Sequence, residues 1–83
     1  MYVIVLRTSA TKELRKLPSP IRQQIIILID SLASDPRPHG VKKMAGVEAW
    51  RIRFGDYRVI FSIQDTRLLI EIIKIGNRRD VYR

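Results

Sequence analysis

The sequence has no cysteine, a single histidine and few acidic residues: Asp and Glu number 8 among 83 residues. Without cysteine there is neither a disulfide framework nor a thiolate metal site, which suits a reducing cytoplasm. A single histidine cannot form a histidine-based metal cluster, and the position of His39 in a loop rich in Pro and Gly argues against a Ser-His-Asp triad. The acidic residues are scattered, with no spacing that predicts a two-metal nuclease. We therefore expect no metal and no other cofactor.

Long apolar runs are also absent. No window approaches the roughly 18 uninterrupted apolar residues of a membrane helix, and the N-terminal run is too short for a signal peptide. The length predicts one domain, residues 1–83, only marginally able to bury its apolar surface. Since 46% of the residues are hydrophobic, we expect a globular protein rather than a disordered one. The lack of a signal peptide and of a membrane helix predicts that it is cytoplasmic and has no membrane contact.

Positive charge is plentiful. Lys and Arg number 16, which gives a formal net charge of +8 and a pI near 10.6. A small, strongly basic domain is typical of nucleic-acid binding. The alternatives are an acidic protein partner or charge that serves only solubility. Charge alone favours nucleic acid modestly.

Apolar periodicity predicts the order β-α-α-β-β-β. Strands are expected at 2–6, 49–54, 57–63 and 68–75, and helices at 8–17 and 20–34. The first strand reads as buried, and Thr8 or Ser9 as the cap of the first helix. Tight turns at Gly55-Asp56 and Asp65-Thr66 predict an antiparallel meander. The fold class is α+β, with an antiparallel sheet and a two-helix hairpin packed on one face.

The second helix is apolar nearly all round. Its main stripe comprises Ile21, Ile25, Leu28, Ile29 and Leu32. Ile26 and Ile27 fall outside that stripe, on the flank or back of the helix. In so small a domain this surplus predicts a surface for a protein partner.

Three arginines interrupt the apolar segment "AWRIRFGDYRVIF", residues 49–61. A two-residue turn at 55–56 pairs Arg53 with Arg58 and Arg51 with Ile60, on the sheet face opposite the helices. None of the three should then lie in the core. Facing like charges cost about 0.2–1 kcal/mol, so this face is either a solvated surface or an anion-binding one. We favour phosphate binding, for which guanidinium is suited.

Three further charged residues belong to this prediction. Lys42 and Lys43 enter the sheet beside the arginines, where they either line the basic face or only solubilise the loop. Glu71 is expected opposite Ile60, as an internal counter-charge.

The segments "WRIRFGDYRVIF" and "IIKIGNRRDVYR" together resemble the signature of RelE toxins of toxin–antitoxin modules, within the RelE/ParE superfamily. The opening "VLRTSATKELRKLP" and the element order fit the family too, so the resemblance covers essentially the whole chain. It implies a toxin that arrests growth by inhibiting translation. Such toxins are metal-independent, ribosome-dependent endoribonucleases that cut mRNA in the decoding site by attack of the ribose 2′-OH.

The resemblance also implies roles for individual residues. Arg58 matches the arginine that grips the phosphate, and Arg78 the one assigned to the transition state or leaving group. Tyr82 matches the tyrosine that orients the nucleotide. The catalytic residues implied are Arg53, Arg58, Arg78 and Tyr82, and the phosphate-binding residues are Arg51, Arg79, Lys42 and Lys43.

One departure from the family concerns the general base. Arg51 and Arg53 stand where the best-known members have lysines, and an arginine does not lose its proton in a protein. The base is then Tyr82 or Asp80, or charge stabilisation dominates without a strong base. These alternatives stay open.

The resemblance implies a cognate antitoxin as partner, bound as an amphipathic helix across Ile26 and Ile27. Ribosome and mRNA are the other partners, and DNA is reached only through the antitoxin. Two alternatives differ in class. One is a ParE-like toxin that inhibits DNA gyrase and cuts nothing, and the other is a degenerate member that acts only in repression with its antitoxin.

Overall fold

The computed structural model describes residues 1–77. The helices are α1 (Thr8–Arg15) and α2 (Ser19–Ser31). The strands are β1 (Val3–Leu6), β2 (Lys42–Lys43), β3 (Trp50–Phe54), β4 (Tyr57–Gln64) and β5 (Leu69–Asn77). The predicted α+β class and element order are confirmed, with the two-residue β2 as an addition.

The strands form one sheet in the order β1-β5-β4-β3-β2. The ladders β2–β3, β3–β4 and β4–β5 are antiparallel, as the meander predicts. β1 pairs parallel to β5, because both helices intervene before the chain returns beside it. The sheet is therefore mostly antiparallel, and β1 and β2 form its two edges.

The helix ends differ from the predicted ones. The residue before α1 is Arg7, in extended conformation and without a side-chain cap. The predicted cap at Thr8 or Ser9 is wrong, since both residues are already helical. α2 begins after Pro18 and has a proline in its first turn, where the missing N–H costs nothing.

The core lies between the helices and one face of the sheet. Its buried helix residues are Ala10, Ile25, Ile29 and Leu32. Its buried strand residues are Ile52, Val59, Phe61, Ile70, Ile72 and Ile75. Trp50, Phe54 and Tyr57 pack against its margin, on the same side. The predicted division of β3 and β4 into an apolar helix-facing set and an opposite set is thus confirmed for the apolar set.

The turn between β4 and β5 is longer than predicted. Asp65–Arg67 form a short 3₁₀ helix, and Leu68 follows with a φ of 50°. Gln64 therefore pairs with Leu69, and Glu71 lies opposite Ser62 rather than Ile60. The predicted position of Glu71 is wrong because the two-residue turn assumed for Asp65-Thr66 does not form.

Glu71 nevertheless acts as a counter-charge, for Arg7. The shortest nitrogen–oxygen distance between these side chains is 3.3 Å. A shift of register by two residues keeps Glu71 on the side of the sheet away from the helices. It lies beside β1, however, and not among the arginines.

α1 covers the part of β5 that β1 leaves unpaired. The Glu13 carboxylate accepts a hydrogen bond from the backbone N–H of Ile75, at 3.0 Å. Its other oxygen lies 3.0 Å from the Lys74 ammonium. These contacts satisfy a strand edge that would otherwise offer unpaired backbone groups. Within residues 1–77, no helix is long and apolar enough to cross a membrane.

Candidate functional site

The β3–β4 hairpin has the predicted register. Arg53 pairs with Arg58 and Arg51 with Ile60, on either side of the Gly55-Asp56 turn. Gly55 has a φ of 57°, the left-handed region that a tight two-residue hairpin turn requires. All three arginines therefore lie on the sheet side opposite the helices. We call Arg51, Arg53 and Arg58 the arginine surface.

The three arginines differ sharply in exposure. Arg53 is exposed and Arg51 half-buried, whereas Arg58 is only 2% exposed. The Nε and Nη1 atoms of Arg58 are both sealed from solvent. The prediction that no arginine is interior is therefore wrong for Arg58. Alternation fixes the side of the sheet on which a side chain lies, and not whether other groups cover it.

β2 separates the two lysines that the sequence left undecided. Lys42 is exposed and pairs with Arg51, so both side chains lie on the same side of the sheet. Lys43 pairs with Trp50, on the helix side. Its ammonium lies 6.0 Å from the centroid of the Trp50 ring and 3.5 Å from the Glu48 carboxylate. Lys42 therefore extends the arginine surface, and Lys43 does not.

A second polar cluster lies at the other end of the sheet, and sequence reasoning missed it. Two Arg37 nitrogens, Nη1 and Nη2, contact the two Asp65 oxygens at 3.2 and 2.9 Å. The Tyr2 hydroxyl donates to the same carboxylate at 2.6 Å. The Arg37 guanidinium carbon also lies 4.9 Å from the Trp50 ring centroid, a cation–π contact. No spacing along the chain could reveal this cluster, because 28 residues separate Arg37 from Asp65.

The contacts in this cluster shift the pKa values of its members. The Arg37 hydrogen bonds, and then the Tyr2 hydrogen bond, hold the pKa of Asp65 below its usual value. The hydrogen bond to Asp65 raises the pKa of Tyr2 and also that of Arg37. The cluster is therefore stable in the form with an ionised carboxylate, a neutral phenol and a charged guanidinium.

Among the described helices and strands, α2 and β1 carry exposed large apolar side chains. Ile26 and Ile27 of α2 are 39% and 62% exposed, as expected for residues outside the helix stripe. Val3 and Val5 of β1 are also exposed. The prediction of a buried first strand is wrong, because β1 is an edge strand with only one covered face. Its even-numbered residues pack on the core instead.

Several residues implied by the resemblance lie outside the described residues: Arg78, Arg79, Asp80 and Tyr82. Among residues 1–77, no group of three His, Cys, Asp or Glu side chains could hold a metal ion. The described part of the site therefore consists of Lys42 and the arginine surface.

Comparison with known proteins supplies the family. The model of the family described as the ParE toxin of the type II toxin–antitoxin system parDE matches residues 4–82. Toxin RelE of Mycobacterium tuberculosis is 30% identical over 84 residues, 99% of this chain and 87% of that protein. The mRNA interferase toxin RelE of Escherichia coli is 27% identical over 85 residues, 98% of this chain and 90% of that protein.

Solved structures agree with the sequence comparisons. The archaeal RelE–RelB complex from Pyrococcus horikoshii contains a chain that superimposes with a TM-score of 0.83 at 30% identity. The alignment covers 93% of this chain and 94% of that one. With the family match over nearly its whole length, the chain belongs to the ParE family of type II toxin–antitoxin toxins, as a RelE-type member of the RelE/ParE superfamily.

Proposed function

We propose that the protein is a ribosome-dependent endoribonuclease that cleaves mRNA in the decoding site. The observation that carries the proposal is the concentration of cations in two adjacent cross-strand rows. Lys42 faces Arg51 in one row, and Arg53 faces Arg58 in the next. Facing like charges cost stability, and a phosphate chain supplies the counter-charge that compensates this cost. The relatives named RelE, among them one named an mRNA interferase, support the same reading.

The proposed reaction transfers a phosphoryl group within the RNA chain, from the 5′-oxygen of the next nucleotide to the ribose 2′-oxygen. The ribose 2′-OH loses its proton, its oxygen bonds to the adjacent phosphorus, and the bond to the 5′-oxygen of the next nucleotide breaks. That oxygen takes up a proton, so the products carry a 2′,3′-cyclic phosphate and a 5′-hydroxyl. The step needs a proton acceptor, stabilisation of the phosphorane charge and a proton donor.

In this reaction the accessible cations bind the phosphate and stabilise its developing charge. Arg53 is exposed and Arg51 half-buried, and both are permanently protonated, so neither acts as the base. Buried Arg58 reaches a phosphate only after the groups that cover it move. In the proposed assignment the base is Tyr82 or Asp80, or none. Arg78 stabilises the transition state or protonates the leaving oxygen, and Arg79 completes the phosphate contacts.

The test is primer extension on a ribosome-bound message with purified toxin. We expect cuts confined to the codon in the decoding site, and none in the same RNA without ribosomes. The cut fragment should end in a cyclic phosphate that blocks 3′-ligation. Intact message at toxin concentrations that arrest growth would contradict the proposal.

A second function, inhibition of DNA gyrase, is favoured by one observation, the match to the family described as ParE. The same toxin preparation should then inhibit gyrase-dependent supercoiling of a relaxed plasmid. We expect no such inhibition, because a toxin that only binds gyrase does not need four cations in two adjacent cross-strand rows. Loss of supercoiling together with intact message would establish the alternative.

We also propose that a cognate antitoxin binds α2 through an amphipathic helix. Two large side chains on successive helix positions, Ile26 and Ile27, are exposed in a chain of only 83 residues. The archaeal neighbour is described as a complex of RelE with RelB. Replacing both isoleucines with Asp should weaken antitoxin binding at least about tenfold, because apolar anchors dominate such interfaces.

The control for the antitoxin test is the double variant Val47→Asp with Leu68→Asp, which places the same two charges at other exposed apolar residues. Antitoxin affinity should be unchanged in the control, and message cleavage unchanged in the isoleucine double variant. Isothermal titration with purified antitoxin gives the affinities. Equal affinities for the isoleucine double variant and the unmodified toxin would exclude α2 from the interface.

A further inference from the structure

We propose that Arg37 is a positioning residue for the RNA-binding surface, acting through the register of β2. Its guanidinium holds the middle of the α2–β2 loop against Asp65 and Trp50. This inference rests on the proposed RNA-binding role of Lys42 and the arginine surface. It adds a residue that contacts Trp50 on the helix side of the sheet, opposite the face that we propose binds phosphate.

The need for such a residue follows from the shortness of β2. The strand has two residues and forms only two pairs, Lys42 with Arg51 and Lys43 with Trp50. A two-residue edge strand has little stability of its own, and a slip by one residue exchanges the two faces. Lys42 would then lie on the helix side and its charge would leave the arginine surface.

Two contacts at the ends of β2 favour this register. The Met44 N–H donates to the Ala49 carbonyl at 2.9 Å, and Val41 packs against the core.

Trp50 adds a third contact that fixes the register. The Arg37 guanidinium carbon and the Lys43 ammonium lie 4.9 and 6.0 Å from the centroid of its ring. Lys43 is therefore held on the helix side of the sheet, and alternation then directs Lys42 to the other side. Arg37 in turn is fixed by two hydrogen bonds to Asp65, which Tyr2 also contacts. The chain of contacts runs from the β4–β5 turn, through Arg37 and Trp50, to β2.

The sharpest test replaces Asp65 with Asn, because general electrostatics and positioning predict opposite results. Removing a carboxylate raises the net charge from its formal value of +8, which by itself strengthens RNA binding. If Asp65 holds Arg37 in place, the same change instead weakens binding. The probe is a fluorescent single-stranded RNA with 2′-O-methyl groups throughout, which the toxin cannot cleave, at 50 mM salt.

We expect Lys42→Gln to weaken binding of this probe about fivefold, because one phosphate contact is lost. Asp65→Asn and Arg37→Gln should each weaken binding by the same factor. Asp30→Asn is the matched control, since Asp30 is exposed on α2 and the substitution changes the charge equally. Its affinity should equal or exceed that of the unmodified protein. Arg37→Lys should restore little, because lysine cannot form the paired contact with Asp65.

Double variants separate positioning from a direct contact or a loss of stability. In a Lys42→Gln background, Arg37→Gln should cause no further loss, and the salt dependence should match that of Lys42→Gln alone. Hydrogen exchange in residues 41–44 should be faster in Arg37→Gln at temperatures where the fold is intact. Additive losses, or tighter binding by Asp65→Asn, would overturn the inference.

The outcome also distinguishes this inference from the proposed function. If Lys42→Gln binds the probe as tightly as the unmodified protein, the RNA-binding role of Lys42 fails, and positioning fails with it. If Lys42→Gln weakens binding and Asp65→Asn does not, only the positioning role of Arg37 is wrong.

Discussion

The two sides of the same sheet use the same strands for opposite purposes. On the helix side, Ile52, Val59 and Phe61 are buried against α1 and α2. On the other side the intervening residues include Arg51, Arg53 and Arg58. The helix side gains free energy from the removal of apolar surface from water, whereas the arginine side loses free energy to repulsion between like charges. The comparison separates residues that hold the fold from residues that we propose act on RNA.

Ion pairs away from the arginine surface offset part of the positive charge of the protein. Four ion pairs in the described residues neutralise cations outside the arginine surface: Arg7–Glu71, Arg37–Asp65, Lys43–Glu48 and Lys74–Glu13. Half of the 8 acidic residues are used in this way. Besides these pairs, Lys42 and the arginine surface, the other described cationic side chains lie in or beside α1 and α2 and in the β4–β5 turn.

The largest effect is expected on the helix side. Phe61→Ala removes a side chain with 0% exposure from the centre of the core and leaves a cavity. The free energy of unfolding should fall by about 3–5 kcal/mol, measured by urea denaturation. Phe61→Leu is the control and should recover most of the loss. A loss below 1 kcal/mol would mean that the helices do not pack on this face as described.

A smaller effect on free energy, but a large one on activity, is expected on the arginine side. Arg53→Ala should lower the rate of message cleavage about 10²-fold, as when one transition-state donor is removed. Stability should be unchanged or slightly higher, because the repulsion with Arg58 is relieved.

The control for Arg53 is Arg67→Ala, at an exposed arginine in the 3₁₀ helix of the β4–β5 turn. Cleavage by this variant should stay close to that of the unmodified toxin. If Arg53→Ala lowered the stability and left cleavage unchanged, Arg53 would stabilise the fold rather than act on RNA, and the prediction would be wrong. Single-turnover cleavage and urea denaturation of the same preparations give both quantities.

The smallest effect concerns pH and the cluster of Tyr2, Arg37 and Asp65. The lowered pKa of Asp65 contributes stability above the ordinary carboxyl pKa of about 3.9, which is lost as the pH falls through the folded value. The raised pKa of Tyr2 contributes stability below about pH 10, which is lost as the pH rises through its folded value. The contribution of the cluster is therefore greatest between about pH 4 and 10.

The measurement is urea denaturation of the unmodified protein and Asp65→Asn from about pH 2 to about pH 10. The difference in stability should be present at pH 7 and should disappear at acidic pH, where the unmodified carboxyl is also protonated. A difference that is independent of pH would show that Asp65 acts by packing and not by charge.

The residue pairing of the β3–β4 hairpin could be predicted from the sequence, and that of the β4–β5 hairpin could not. Gly55-Asp56 admits one tight turn, and alternation then fixes every pair from Phe54–Tyr57 outwards. Asp65-Thr66 carries no glycine, and the chain instead forms a 3₁₀ turn closed by a left-handed Leu68. The side on which Glu71 lies was predicted, but its opposite residue was not.

Some properties of the candidate site could likewise be predicted from the sequence, and others could not. Periodicity placed the arginines on one side of the sheet, because side-chain direction in a strand depends only on position along the chain. It could not predict that Arg58 is buried or that Lys43 lies against Trp50, because both depend on segments distant in sequence. The Arg37–Asp65 contact joins a loop to a turn and left no local signal.

Local sequence pattern was therefore enough to predict the element order apart from the short β2, the two sides of the sheet and the membership of the arginine surface. These properties follow from alternation, helical period and turn chemistry, all of which act over a few residues. Tertiary contacts, by contrast, set which cations are accessible and which lysine joins the surface. Those properties arise where segments distant in sequence meet. There the neighbouring residues, and not the local pattern, determine how exposed a side chain is and what it contacts.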